Sequence, residues 1–406
     1  MQARMNKTMA ISLMKMTGAS LGSVLLLFVS CGSDANKTGP AARKLQAAGQ
    51  EAAKIELAVD KAHDDVAAFI AGQATDDPVL QPFQATEEWK KFAQTMDLNW
   101  AALVQERLHP MREWADRELG EANSAKNVLF YPFGGPDLLT AFHLFPTADV
   151  YILLGLEWCG KLPQFEDKTS EHVRAYLEDV QLSLSDFFQK SYFITRNMMD
   201  SLQDNKVDGV LPLICFFLKR TGQTISSIKR LELDEKGDIL ETAYEVHPKK
   251  IKRPYGVRVD FFAAGSQALK TVYFFSVDLS DERMGPESKF YAHLSRMGPV
   301  TTFIKSASYL LHYSNFSNIR NIILAKSRFI LQDDTGIPFR YFHPESWDVA
   351  LYGKYGKPVQ DFKGVEQPDL KAAYEDRSRV KPLAFTVGYH WGSHLDSLLL
   401  IKRIPR

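Results

Sequence analysis

Two apolar runs with a helical stretch between them limit the fold of this chain more than any other feature. Val128 to Phe133 is compact and apolar. Gly134-Gly135-Pro136-Asp137 follows, then a helical stretch to Phe145, then the apolar run Asp149 to Glu157. Strands joined this way cannot close as a hairpin, so they pair in parallel through a crossover helix. A parallel sheet is buried on both faces, which obliges the rest of the chain to supply helices for two sides.

Downstream the pattern changes. Helical periodicity dominates 171 to 202 and 208 to 220. Ile225 to Asp234 then alternates, and Glu235-Lys236-Gly237-Asp238 reads as a hairpin turn. Val257 to Ala263 and Thr271 to Leu279 make a second hairpin around Gly265, and helices return over 289 to 325. Ser327 to Gln332 and Ile337 to Phe342 read as a third hairpin around Asp333-Asp334-Thr335-Gly336. Asp348 to Tyr352, Leu383 to His390 and Ser397 to Ile404 read as closing strands. The expected class is therefore α/β of the mixed α+β kind: a mixed, partly parallel β-sheet flanked by helices, with a helical N-terminal region.

Ahead of this body the N-terminus reads as an export signal. Arg4, Lys7 and Lys15 precede the apolar run Leu21 to Val29, which ends in Phe28-Val29-Ser30-Cys31. The run is shorter than the about 20 apolar residues of a membrane span. A cysteine directly after a small residue reads as a bacterial lipobox, with Cys31 the lipidation site; the plainer alternative is an ordinary signal peptide. Gly32 rather than aspartate follows the cysteine, which points to an outer membrane. The expected divisions are 1–30 signal peptide, 31–40 flexible tether, 41–77 helical stalk, 78–126 helical lead-in packed on the body, and 127–406 α/β body. In the stalk Leu45, Ala48, Ala52, Ile55, Val59, Ala62, Val66 and Phe69 form a heptad seam, suited either to a coiled coil or to one helix packed on its own body. Pro110 is expected to kink the second of two aromatic helices in the lead-in.

The 406 residues carry 49 basic and 49 acidic side chains. A neutral chain has no overall field to draw it onto nucleic acid, which argues against that partner. The 45% hydrophobic content suits a packed core. Of three cysteines, Cys159 and Cys215 remain after Cys31; they can pair in an exported protein or stand as buried thiols.

Three places carry residues suited to chemistry. In Phe130-Tyr-Pro-Phe-Gly-Gly-Pro-Asp137, Gly134 and Gly135 permit close backbone approach between strand and helix and are candidate anion-binding backbone. Glu157 closes the next strand, twenty residues after Asp137, where dinucleotide and methyl-donor folds often place a ribose-binding acid. Against this, the loop is not G-x-G-x-x-G, Pro136 lacks an amide donor, and Pro then Asp137 are good helix-start residues. If Asp137 only caps the helix, Asp137→Asn should cost about 0.5–2 kcal/mol. Asp333 and Asp334 are adjacent carboxylates suited to acid–base work or a cation, or to a turn. His390 sits among aromatics in Gly388-Tyr389-His390-Trp391-Gly392, with His394 and Asp396 nearby. No metal set is expected, because the two histidines lie on a turn and one carboxylate pair falls short of a calcium site. The basic cluster Lys249-Lys250-Ile251-Lys252-Arg253 reads as a solvated loop. G-x-S-x-G, Walker A and kinase motifs are absent.

Taken together, YPFGGPD, LLGLEW, QDDTGIPFRYF and GYHW resemble a family of exported bacterial proteins and lipoproteins of uncharacterised activity, with a pattern close to Y-P-F-S-G-P-D. Gly134 stands here where that pattern has serine. The resemblance covers about residues 85 to 406 and implies no activity. The expected function is a cell-envelope lipoprotein held to the membrane through Cys31 that binds a small-molecule or protein partner. The alternative is an envelope-anchored hydrolase or transferase using carboxylate and histidine acid–base chemistry on Asp137, Glu157, Asp333, Asp334 and His390. No cofactor is named by these residues.

Overall fold

A computed structural model describes residues 57–124, 127–190, 192–193, 202, 206–244, 256–266, 268–359, 362–390 and 395–405. Cys31, the signal, the tether, most of the heptad segment, the basic cluster at 249–253, Trp391, Gly392 and His394 lie outside them.

The first half of the body supplies β1 (Val128–Tyr131), β2 (Val150–Gly155), β3 (Gln223–Leu233), β4 (Ile239–Ala243), β5 (Gly256–Ala263) and β6 (Lys270–Ser276). The second half supplies β7 (Val300–Ile304), β8 (Ser327–Gln332), β9 (Trp347–Gly353), β10 (Val380–Lys381) and β11 (Ser397–Arg403). All eleven form one sheet in the order β10-β9-β11-β8-β7-β1-β2-β6-β5-β3-β4. The middle five, β8-β7-β1-β2-β6, pair in parallel. β11 runs antiparallel to both neighbours, and β5, β3 and β4 extend the other edge antiparallel. The sheet is thus mixed, and the class is the expected α/β.

Side chains alternate across it as a pleat requires. Leu129, Tyr131, Tyr151 and Leu153 face one core; Phe130, Ile152 and Leu154 face another. The first core is covered by α1 (Lys61–Ile70), α3 (Glu87–Leu103), α4 (His109–Glu118), α5 (Leu138–Leu144), α6 (Ser170–Lys190) and α7 (Leu211–Arg220), with the short α2 (Gln81–Gln84) before α3. The second is covered by α8 (Lys289–Arg296), α9 (Ser317–Lys326) and α10 (Pro368–Glu375). Local sequence accounts for these helices. Thr86 caps α3 through the Trp89 amide, Glu87 and Glu88 complement the dipole in its first turn, and Trp89, Phe92 and Met96 are its buried face. Eight of the ten α7 residues are buried, which matches its uniformly apolar Leu-Pro-Leu-Ile-Cys-Phe-Phe-Leu. Cys159 and Cys215 are buried free thiols.

Several expectations need correction. The seam residues Ala62, Val66 and Phe69 lie on α1, whose Phe69, Ile70 and Ala67 are fully buried in the body's core, and Asp60 donates its amide to Ile225. Of the two readings of the seam, this described part takes the second, one helix packed on its own body. Ahead of Pro110 the helix passes through a π turn over Val104–Leu108, where the His109 amide donates to the Val104 carbonyl, and α4 restarts with Pro110 in its first turn. The helical reading of 289–325 conceals β7, because all five residues of Val300–Ile304 are buried and show no alternation. No hairpin follows Gln332. Its side chain holds both the amide and the carbonyl of Ile337, so the chain turns into a 3-10 segment at Phe339–Tyr341. Leu383 to His390 is not a strand either; β10 is two residues long and precedes it, and Gly388–His390 is a 3-10 turn. Among the described residues no helix is long and apolar enough to cross a membrane.

Candidate functional site

Numbered only by chain order, the five central parallel strands lie 3-2-1-4-5 across the sheet, the doubly wound order. α5 leaves β1 on one face and α9 leaves β7 on the other. The order therefore reverses between β1 and β7. At the carboxyl ends of the strands there, a cavity of about 140 Å³ opens. An engineered cavity of about that size holds one aromatic ring. Its walls come from four strand ends: Tyr131 to Asp137 after β1, Gly155 to Glu157 after β2, Val277 to Leu279 after β6, and Lys305 to Ser308 after β7, with Tyr389 closing one side.

Asp137 is the N-cap of α5, accepting the Thr140 amide at 3.1 Å. It also does more. Its Oδ2 lies 2.6 Å from Lys305 Nζ and accepts the Tyr131 hydroxyl at 3.0 Å, and Asp137 and Lys305 side chains are each 3% exposed. Burial, then the Asp137 charge, push the Tyr131 phenol well above its ordinary range, so it stays a donor. The pair joins the loop after β1 to the loop after β7 across the reversal.

Glu157 is 7% exposed, and its Oε2 is buried without a hydrogen-bond partner. Burial raises its carboxyl above the usual range against the pull of the Glu157 and Leu156 amides. The carboxylate lies over Gly135 and Gly155. A Cβ on Gly155 would collide with Glu157 Oε2 and meet Gly135 Cα at 3.1 Å, while a Cβ on Gly135 would stand 3.5 Å from that oxygen.

Of the two amides expected to hold an anion, that of Gly135 is occupied. Gly135 donates to the Leu154 carbonyl, Asp137 to Gly134 and Leu138 to Pro136, while Pro136 has none. An acid already sits at the start of α5, a helix of seven residues. Gly134 and Gly135 both line the cavity, and Gly135 lies against the Glu157 carboxylate.

Asp333 and Asp334 are buried at the end of β8 instead of lying on an exposed turn. Asp333 accepts the amides of Ser306 at 2.8 Å and Thr335 at 3.0 Å, together with the Thr335 hydroxyl. Thr335 Oγ1 in turn accepts the Ala307 amide at 2.7 Å. Burial, then the adjacent Asp334 carboxylate, push Asp333 up to about 7. Asp334 accepts the Tyr309 hydroxyl and lies 3.6 Å from His390 Nε2. Burial lowers the His390 ring, but Asp334, with Asp333 and Asp396 behind it, outweighs burial and leaves it raised. Tyr389 donates to the Ser306 carbonyl at 2.7 Å and accepts from the Ser308 hydroxyl at 3.0 Å. Thus Asp137 and Glu157 share the cavity, whereas Asp333, Asp334 and His390 stand behind its wall and hold the β7 loop in place.

That loop is strained. Among the described residues four non-glycines have positive φ: Phe133 (63°) after β1, and Ser306 (53°), Ser308 (50°) and Tyr309 (54°) after β7. All four flank the reversal, and such conformations cost of order 1–3 kcal/mol each and concentrate at functional sites. Lys305 and Ser306 are not among the residues singled out from sequence, whereas Tyr389 lies in the Gly388–Gly392 stretch that is. The sequence signal for Lys305 is its place directly after the apolar run Val-Thr-Thr-Phe-Ile, a fully buried strand. Among the described residues no group of three or more His, Cys, Asp or Glu is placed to hold a metal ion. No protein-family model matches the chain, and no curated protein matches it.

Two outcomes follow from this geometry. Asp137→Asn should destabilise by about 3–5 kcal/mol, beyond a cap alone, because it leaves Lys305 charged and buried without its carboxylate; urea denaturation checks this, and a cost near 1 kcal/mol would show that the cap is the whole effect. Asp333 binds a proton more tightly folded than unfolded, so its contribution makes stability fall as pH rises from about 4 to about 7. Asp333→Asn should flatten the stability profile over that window when denaturation midpoints are compared at intervals from pH 4 to 8.

Proposed function

We propose that this chain is a ligand-binding module held at a bacterial cell envelope by a lipidated Cys31, and that the crevice between β1 and β7 takes a nucleoside-type ligand with no pyrophosphate at the start of α5. The observation that carries the ligand reading is Glu157. Glu157 lines the cavity at the end of the strand beside β1, and its Oε2 is buried without a hydrogen-bond partner. In doubly wound sheets an acid about 20 residues beyond the first βα turn accepts from a ribose hydroxyl. A ribose diol presented there would satisfy the orphan oxygen with charge-assisted hydrogen bonds. The occupied Gly135 amide, the missing amide of Pro136 and the Asp137 carboxylate argue against a phosphate at the helix start, which disfavours a dinucleotide and leaves an adenosine or methyl-donor type of molecule. The cavity's size fits one ring of such a ligand, with Leu156 half exposed at its rim. The acid–base enzyme reading draws no support from Asp333, Asp334 and His390, which do not line the cavity.

Calorimetry of the full-length chain with adenosine, S-adenosylhomocysteine and NAD tests the ligand class. The first two should bind and NAD should bind more weakly. Glu157→Gln should weaken nucleoside binding about 10- to 100-fold, the worth of a charge-assisted hydrogen bond. The same variant should leave the unliganded protein as stable or more so at neutral pH, since it removes a buried carboxylate whose folded form resists ionisation. Undiminished binding in Glu157→Gln would remove the carboxylate from the proposal. The anchor is tested separately: Cys31→Ala should release the protein from the membrane fraction and eliminate the mass added by acylation.

A further inference from the structure

A second cavity, of about 280 Å³, lies away from the crevice, between the first turn of α1, the Asp77–Leu80 turn and the segment after Gly160. Arg230 of β3 forms part of its wall and is 1% exposed. A guanidinium does not deprotonate in a protein, so a full positive charge sits in the interior. Its described contacts are neutral. It donates to the Gly160 carbonyl, and its guanidinium carbon stands 4.7 Å from the centre of the Tyr244 ring. Its Nε is buried without a hydrogen-bond partner, and it forms no ion pair with a carboxylate of the described residues, though the Asp208 charge acts on the same Tyr244 phenol. Buried charges are ordinarily paired, because leaving one unpaired costs several kcal/mol. The cation–π contact with Tyr244 offsets part of this.

The rest of the wall is suited to a counter-ion. Lys161 is half-buried there and makes no ion pair with the described residues. The His63 ring packs edge-on to Tyr244 at 4.6 Å while its Nδ1 lies 2.7 Å from Asp60. Two acids also line the cavity. Asp77 is engaged by the Val79 and Leu80 amides, and Glu166 is exposed at the rim. Asp77 and Glu166 formally balance Arg230 and Lys161, but Asp77 is engaged by backbone amides and Glu166 stands in solvent, so the buried charge left to answer is the single one of Arg230. Val66, Leu80, Leu162 and Phe165 give the remaining wall an apolar character.

We propose that this cavity binds an organic monocarboxylate, its carboxylate on Arg230 and Lys161 and its hydrocarbon body against Val66, Leu80 and Phe165. The arginine fork matches a carboxylate in two-point geometry. This site is independent of the nucleoside crevice, and neither proposal requires the other.

The test is calorimetry and thermal shift on the full-length chain with benzoate and hexanoate, with benzyl alcohol, hexanol and inorganic phosphate as comparisons. Saturable binding of a carboxylate is expected, at least 10-fold tighter than the matching alcohol or phosphate. Arg230→Met should abolish it without lowering the stability of the unliganded protein, since the variant removes an unpaired buried charge. Lys161→Ala, at a half-buried position, should weaken binding several-fold. If Arg230→Met fails to fold, the acid–alcohol comparison and Lys161→Ala decide alone. Failure of both carboxylates to bind, equal binding of acid and alcohol, preference for phosphate, or binding unaltered in both variants would each overturn the proposal.

Discussion

One buried ion pair holds together the part of the molecule where the sheet changes direction. Asp137 follows β1 and Lys305 follows β7, and their 2.6 Å contact crosses the gap that opens because the helices after these strands leave on opposite faces. Such a pair adds little net stability over apolar residues of the same shape, since two charges must leave water. Its value lies in geometry. Tyr131, the Thr140 amide and the Thr140 hydroxyl supply further polar contacts to the pair, so the two loops meet in one arrangement. The width of the crevice follows from that contact.

Behind this pair lies a layer of polar groups with a different task. Asp333 and Thr335 take the amides of Ser306 and Ala307, and Tyr389 takes the Ser306 carbonyl. These bonds hold Ser306, Ser308 and Tyr309 in a backbone conformation that L-residues rarely adopt. Gly388 is required by the same arrangement: its φ is 68°, and a Cβ there would strike the Asp333 carboxylate. The paired aspartates, which in isolation suggest acid–base chemistry, serve here as a mould for the neighbouring loop.

Glu157 and Arg230 express one physical principle with opposite charge. Each is a buried ionic group on a cavity wall, and each has an atom that no group of the described protein satisfies. Both are therefore stability costs to the unliganded chain, and at both proposed sites the ligand would supply the missing partner. The glycines beside Glu157 carry the same sense. Gly155 exists as glycine because the carboxylate occupies the space of a side chain.

What the chain settles by itself is what depends on neighbours in sequence. The strand–helix–strand over 128–157, the hairpins at Gly237 and Gly265, the cap at Asp137 and the location of Glu157 at a strand end are local consequences of periodicity, turn residues and capping chemistry. They sufficed for a mixed α/β sheet and for half of the crevice. What required the tertiary structure depends on distant parts of the chain meeting. Val300–Ile304 shows no period because both of its faces are buried, so its being a central strand becomes visible only between β1 and β8. Lys305 gains its role from a carboxylate far away in sequence, and Asp333 is a loop brace and not a turn tip because Ser306 packs on it. Arg230 looks like any exposed residue of an alternating strand until β3 is covered by α1 and the segment at Gly160. Period and propensity specify which elements form; burial of charge, backbone strain and pairing across the sheet reversal are set only by the fold, because their energies belong to contacts and not to residues.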